Sequence, residues 1–92
     1  MPTTSAPDLA AIAQVLASDA RAAMLLALLD GRAWTLSELA GAAGVSRPTA
    51  SEHVDRLVGA GLLEEVRQGR HRYLRLAGPT VAEGIESLAA LS

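Results

Sequence analysis

Apolar residues recur at helical spacing near the start of the chain and again, more densely, after residue 20. Leu9, Ile12 and Leu16 fall on one side of a helix, because residues three and four apart share a helix face. Ser18 is a typical N-cap residue, and the apolar run after it predicts a second helix that ends at Gly31. The first 31 residues therefore predict two consecutive helices, each with an apolar side.

The next segment carries the signals of two short helices joined by a tight turn. TLSE, residues 35–38, fits a capping box, in which the threonine and glutamate side chains each bond a free backbone N–H. The helix that begins there stops at Gly44, and Ser46 is the N-cap of a fourth helix over about 47–59. Pro48 lies in its first turn, where the missing N–H costs nothing. A helix-turn-helix is therefore predicted over about 35–60.

Two extended runs follow, over about 62–66 and 70–76, with Gln68 and Gly69 as the turn between them. This spacing predicts a β-hairpin with its tip at Gln68 and Gly69. Gly78 and the proline after it break the chain again, and a last helix is predicted over about 79–91. The predicted fold is mostly α with a small β-hairpin, in the order α-α-α-α-β-β-α.

The composition is that of a single small domain. The chain has 92 residues, half of them hydrophobic and most of those Ala and Leu, so a second subunit would help to bury apolar surface. Without cysteine, disulfides, thiolate metal sites and a cysteine nucleophile are excluded. The longest apolar run, residues 22–29, is far short of the roughly 20 residues of a membrane span. We expect a flexible arm over 1–7 without a signal peptide, a domain over 8–92, no membrane contact and a cytoplasmic location.

Charge is segregated along the chain. The formal net charge is −2, yet residues 46–76 hold six of the eight arginines against four carboxylates, while the rest holds two arginines against six. Four of the arginines lie in RQGRHRYLR, residues 67–75. A basic segment in an acidic chain is the pattern of a localised polyanion-binding face, although such a cluster is also common on ordinary solvated surfaces.

The fourth helix has a buried side and a polar side without large apolar groups. Ala50, Val54 and Leu57 share the apolar side, and the outward positions hold Thr, Ser, Glu, Asp and Arg. Short donors and acceptors of this kind suit a helix that enters the major groove of DNA. A solvated amphipathic helix has the same pattern, so this helix alone leaves both interpretations open.

Three motifs together resemble the winged helix-turn-helix regulators of the ArsR/SmtB family. GVSRPTASEHVDRLVGAGLL is similar to the recognition helix of that family, RQGRHRYLRL to its wing, and LASDARAAMLLALLDG to its second helix. The resemblance covers about residues 9–91. It implies a winged helix-turn-helix domain of a regulator that represses transcription as a homodimer bound to a pseudo-palindromic operator. Other winged-helix families, such as MarR, share this topology with longer wings.

The expected DNA-binding residues come from the fourth helix, the turn before it and the hairpin. Glu52 departs from the family, whose members often have a basic or polar residue there. At the base of the hairpin, Arg75 is expected to pair with Glu64 or Glu65 instead. The expected DNA contacts are Ser46, Arg47, Thr49, Ser51, Glu52, His53, Arg56, Arg67, Arg70 and Arg72.

The family resemblance also implies pairing of two copies through the first and last helices. The residues expected in that contact are Leu9, Ile12, Leu16, Ile85 and Leu88. Metal-sensing relatives use cysteines on the third helix, or His and carboxylate pairs on the last helix. The third helix here has no Cys, Asp or His, and the last has Glu83 and Glu86 without a histidine. We therefore expect no metal and no cofactor, and the effector is left open.

Two other classes of function are weighed against DNA binding. A winged-helix protein-interaction module without DNA binding is favoured by the low total charge and by Glu52 and Asp55 on the outward face. An enzyme is disfavoured, because only Ser51, His53 and Asp55 could form a catalytic set, on one exposed helix without a pocket. For His53 we expect local packing and hydrogen bonding, with a phosphate contact as the second interpretation. The chain is also compatible with the N-terminal domain of a longer regulator.

Overall fold

The structure is a computed structural model that describes residues 8–92, so the arm expected over 1–7 lies outside the described residues. Its helices are α1 (Leu9–Leu16), α2 (Asp19–Ala27), α3 (Leu36–Ala43), α4 (Arg47–Gly59) and α5 (Pro79–Ala89). Its strands are β1 (Trp34–Thr35), β2 (Leu63–Gln68) and β3 (His71–Leu76), in one antiparallel sheet of order β1-β3-β2. The prediction of a mostly α chain with a hairpin between the fourth and last helices is confirmed.

Strand β1 is an addition to the predicted fold. It has two residues, and Trp34 pairs with Leu74 while Thr35 pairs with Tyr73. So short a segment shows no alternation of apolar and polar residues, and its partner strand lies about 40 positions away in the chain. The second predicted helix ends before Gly31 as expected, but its last turn, Leu28–Asp30, is a 3-10 helix.

The tip of the hairpin lies one residue later than predicted. Gln68 still pairs with His71, so the turn consists of Gly69 and Arg70 rather than Gln68 and Gly69. Gly69 has a φ of 60°, a conformation that glycine adopts at little cost. The first central position of a type II′ hairpin turn favours glycine for this reason. Arg70 therefore lies in the tip itself.

The predicted helix starts are present as side-chain caps. Ser18 accepts a hydrogen bond from the backbone of Arg21, and Ser46 accepts one from Thr49. At the start of α3, both halves of the capping box are formed between Thr35 and Glu38. The backbone N–H of Thr35 donates to the Glu38 carboxylate, and this bond holds the pKa of Glu38 below its usual value. The starts of α2, α3 and α4 are therefore defined by side chains that bond backbone groups three residues away.

The core lies between the helices and the inner side of the sheet. It contains the predicted buried side of α4, which is Ala50, Val54 and Leu57. The other buried apolar residues come from α2, the 3-10 turn, α3, the sheet and α5: Met24, Leu25, Leu28, Leu39, Ala40, Leu63, Leu74 and Ile85. Packing α4 against α2, α3 and the sheet leaves its opposite side on the surface.

Within residues 8–92, no single helix combines the length and the apolar composition needed to cross a membrane. Over the same residues, α1 and the segment Asp19–Asp30 reach that length and apolar composition only when they are joined, and the chain bends by 90° between them.

Candidate nucleic-acid interface

The start of α4 stands free of the core beside the hairpin. Ser46, Arg47, Glu52 and Arg56 are exposed, as predicted for an outward face. Thr49 is half-buried, and its hydroxyl accepts a hydrogen bond from that of Ser46 across 3.1 Å. The exposed surface of α4 therefore presents short polar groups near its start and charged groups along its length.

A cleft of about 250 Å³ separates the start of α4 from the hairpin. Its lining contains four arginines and, among the described residues, no carboxylate. The cleft is lined by Thr35, Leu36, Ser37, Arg47, Arg67, Arg70, His71 and Arg72. Residues that lie far apart in the chain thus form one cationic cleft. Arg67 and Arg72 pair with carboxylates outside its lining, whereas Arg47 and Arg70 form no ion pair within residues 8–92, and such unpaired cations favour an anion.

The four hairpin arginines have different environments. Arg67 bonds Glu65 across 3.1 Å but keeps 71% of its side chain exposed. Arg70 is exposed in the hairpin tip, and within residues 8–92 it takes part in no ion pair. Arg75 pairs with Glu64 through Nε and Oε2 at 2.9 Å, which confirms the predicted ion pair at the hairpin base. Arg67 and Arg70 thus remain accessible to a partner.

Arg72 is turned inward, on the same face of β3 as the buried Leu74, as the strand alternation predicts. Only 16% of its side chain is exposed. Nη1 donates to the Ser51 hydroxyl at 3.1 Å, and Nη2 donates to Asp55 at 3.0 Å and to Glu65 at 2.7 Å. The bond from Arg72 holds the pKa of Glu65 below its usual value, and Glu65 in turn raises the pKa of Arg72.

His53 is half-buried and hydrogen-bonded within the domain, as predicted, although its partner lies on α2. Its Nδ1 lies 2.9 Å from Nη1 of Arg21, and Nδ1 is the acceptor because a guanidinium only donates. Arg21 is 5% exposed and also donates to the carbonyl oxygens of Gln14 and Val15. Arg21 was not predicted as a site residue. The sequence feature that could have indicated its role is an arginine directly before the longest apolar run, residues 22–29.

Ser51, His53 and Asp55 do not form a catalytic set with one another. Ser51 and Asp55 both bond Arg72, and His53 bonds Arg21 on the other side of the helix. Across residues 8–92, no three His, Cys, Asp or Glu side chains are grouped in a way that could hold a metal ion.

An apolar groove of about 430 Å³ runs between α1, α2 and α5, away from the arginine cleft. Of the residues expected to pair two copies, Leu9, Ile12 and Leu88 are exposed, and Leu88 lines the groove. Leu16 is half-buried and Ile85 is 8% exposed, so both also belong to the core of the domain. Two further exposed leucines of this side, Leu26 and Leu91, were not predicted.

A helix-turn-helix followed by a β-hairpin, with arginines of both lining one cleft, defines a winged helix-turn-helix DNA-binding domain. Residues 16–66 match the family described as helix-turn-helix domain, which covers more than half of the chain. The chain therefore belongs to the helix-turn-helix domain family.

The similar proteins confirm the resemblance to ArsR/SmtB winged-helix regulators. The uncharacterized HTH-type transcriptional regulator YdfF of Bacillus subtilis (strain 168) is 42% identical over 82 residues, covering 89% of this chain and 36% of YdfF. This chain thus spans about a third of that relative.

Two solved structures share the fold over most of their length. The homodimeric winged helix-turn-helix DNA-binding domain (fragment 1–100) of Mb0332 from Mycobacterium bovis, a possible ArsR-family transcriptional regulator, superimposes with a TM-score of 0.82. It is 26% identical, over 97% of this chain and 89% of that one. The cadmium metal-sensor CmtR from Mycobacterium tuberculosis is 32% identical, over 87% and 82%, with a TM-score of 0.69.

Proposed function

We propose that the domain binds DNA as part of a transcriptional regulator, with α4 in the major groove and the hairpin on the flanking backbone. The cleft that joins Arg47 to the hairpin arginines carries this proposal. A DNA duplex is an anion long enough to contact the start of α4 and the hairpin tip at once. Phosphate contacts of this kind supply much of the affinity of a DNA-binding domain and position it on the duplex.

The first turns of α4 supply the residues that would read bases. Ser46 and Thr49 offer short hydroxyls, and the exposed Glu52 can accept a hydrogen bond from the amino group of a cytosine. Arg47 and Arg56 lie near opposite ends of the exposed surface, and we propose that they bond phosphates. Base contacts are thus proposed for Ser46, Thr49 and Glu52, and backbone contacts for Arg47 and Arg56.

In the hairpin, Arg67 and Arg70 are the proposed contacts with phosphates or with the adjacent minor groove. Both are exposed, and both line the cleft. The other residues of the expected set, Ser51, His53 and Arg72, are half-buried and bonded within the domain. We propose that His53 supports the orientation of α4 through Arg21 rather than binding phosphate.

We propose that two copies pair through the apolar side formed by α1, α2 and α5. Exposed leucines around a groove favour a partner of the same kind, because a two-fold contact buries the same patch on both copies. The homodimeric Mb0332 domain supports this assembly. The proposed contact residues are Leu9, Ile12, Leu26, Leu88 and Leu91, with Leu16 and Ile85 beneath them.

Such a dimer carries two α4 helices related by a two-fold axis. We propose that it reads a pseudo-palindromic operator with half-sites about one helical turn apart, and that it represses transcription from that operator in the cytoplasm. Repression is the mode that the ArsR/SmtB resemblance implies. The alternative of a protein-interaction module is weakened, since Arg72 pairs with Asp55 and so removes one of the two free acids that favoured it.

Selection of duplexes from a random-sequence pool by the purified protein at low salt tests the proposal. Enrichment of one pseudo-palindromic sequence supports it. A pool that stays unenriched after repeated rounds, with a folded protein, contradicts it and favours the interaction module.

A further inference from the structure

Arg72 is the second residue of β3, opposite Arg67 of β2, but its side chain points toward α4 rather than outward. We infer that Arg72 is a positioning residue, which joins the recognition helix to the hairpin and orients the Ser51 hydroxyl toward DNA. The inference rests on the proposed DNA-binding function and replaces the expectation that Arg72 itself contacts DNA.

The bonds of Arg72 connect α4 with the hairpin, in addition to the short turn of residues 60–62 that joins α4 to β2. Ser51 and Asp55 lie four residues apart on α4, hence on the same side of that helix, and Glu65 lies on β2. One planar guanidinium bonds all three, so it limits the rotation of α4 about its own axis relative to the hairpin. A lysine ammonium is a point charge on a flexible stem and lacks the flat fork that spans these three partners.

The charge of Arg72 is already balanced inside the domain. Two carboxylates bond its Nη2, and within residues 8–92 its buried Nε has no hydrogen-bond partner. A phosphate that approached Arg72 would be repelled by both carboxylates, and Nε is buried. Arg70, in contrast, is exposed, and within residues 8–92 no carboxylate pairs with it.

The bond to Ser51 has a consequence for recognition. A guanidinium only donates, so the Ser51 oxygen accepts the bond from Nη1 and keeps its own hydrogen. That hydrogen is repelled by the positive guanidinium and therefore points away from it. Ser51 is thereby oriented to donate to an acceptor on DNA, such as a purine N7, a thymine O4 or a phosphate oxygen.

Charge-preserving variants of Arg72 and Arg70 separate positioning from phosphate contact. Arg70→Lys keeps a cation at the hairpin tip, and we expect binding to the selected operator within about threefold of the unsubstituted protein, since lysine also binds phosphate. Arg72→Lys keeps the charge but loses the fork, and we expect a loss of about tenfold, the size of a lost base contact. Equal binding by the two lysine variants would overturn the inference.

The salt dependence of DNA binding is a second measurement. A variant that only loosens packing should weaken binding without changing the slope of log K against log salt. Arg70→Gln is expected to reduce the slope of log K against log salt by about 0.9 for each bound subunit, as one phosphate contact is lost. Arg72→Gln is expected to weaken binding with the slope unchanged. A slope reduced as much by Arg72→Gln as by Arg70→Gln would show that Arg72 contacts a phosphate, against the inference.

Amide hydrogen exchange of the free protein decides the positioning role without DNA. Arg72→Lys should speed exchange in α4 and β2, and Arg70→Lys should leave both unchanged; equal exchange in the two variants would contradict the inference. If the unsubstituted protein selects no duplex, the proposed function fails, and the exchange rates still test whether Arg72 joins the two elements.

Discussion

Arg21 on α2 donates a hydrogen bond of 2.9 Å to His53 on α4, and the same guanidinium bonds the last carbonyl oxygens of α1. A buried cation thus joins three helices, and one of them, α4, is the proposed recognition helix. The adjoining residues Leu16 and Ala17 line the apolar groove where a second copy is proposed to bind. Arg21 therefore lies between the proposed dimer contact and the proposed DNA contact.

Replacing Arg21 by Met should destabilise the domain. The change leaves three partly buried acceptors without their donor: the carbonyl oxygens of Gln14 and Val15 and the ring nitrogen of His53. We expect a loss of about 2–4 kcal/mol in the free energy of unfolding, measured by urea denaturation. Arg32→Met is the matched control, because Arg32 is exposed; within residues 8–92 its hydrogen bonds go to Asp30, and its guanidinium lies 5.9 Å from the centre of the Trp34 ring. A similar loss in both variants would show that the buried bonds of Arg21 contribute nothing particular.

The free energy of unfolding should decrease as the pH is lowered, partly because Glu65 becomes protonated. Its folded-state pKa is depressed by Arg72, so its contribution is present above the ordinary value of 4.5 and is lost as the pH falls through the lower folded-state pKa. Thermal unfolding of Glu65→Gln should therefore lie below that of the unsubstituted protein at pH 7, and the gap should narrow below pH 4.5. A gap that stays constant from pH 7 to pH 3 would contradict this linkage.

Glu52 should select cytosine within each half-site. Glu52→Gln replaces a carboxylate, which only accepts, by an amide that also donates, so the discrimination at one base pair should relax by about 1–3 kcal/mol. This discrimination is measured by comparing the affinities for duplexes that differ at a single base pair. Glu83→Gln, which removes the same charge from the exposed side of α5, is the control. Should both variants keep the same base preference, Glu52 does not read a base.

Dimerisation should depend on the apolar side of α5. Leu88→Glu places a charge beside the groove, and we expect monomers in sedimentation velocity at concentrations where the unsubstituted protein is a dimer. Val66→Glu is the control, since Val66 is also exposed and apolar but lies on the hairpin. Dimers in the Leu88→Glu sample would place the contact elsewhere.

The parts of the fold that could be predicted from the sequence are those with local signals. Thr35, Ser46 and Gly69 each act on backbone groups within a few residues, so helix starts and the hairpin follow from short motifs. The strand β1 could not be predicted, because its pairing with Leu74 depends on how the helices bring distant segments together.

The sequence indicated the residue types of the candidate site, but it did not indicate which of those residues contact one another. The alternation along β3 correctly placed Arg72 on the face of Leu74, yet its partners Ser51 and Asp55 lie 21 and 17 residues away. No local pattern indicates which arginine of a basic hairpin meets a carboxylate of another element. The same holds for Arg21, whose bond to His53 spans 32 residues.

The most direct test of sequence-specific DNA binding is a competition titration of the selected duplex against a scrambled duplex of equal length and composition. We expect a preference of about 10³ or more for the selected sequence, with an affinity that falls as the salt concentration rises. Equal affinity for the two duplexes at every salt concentration would contradict it.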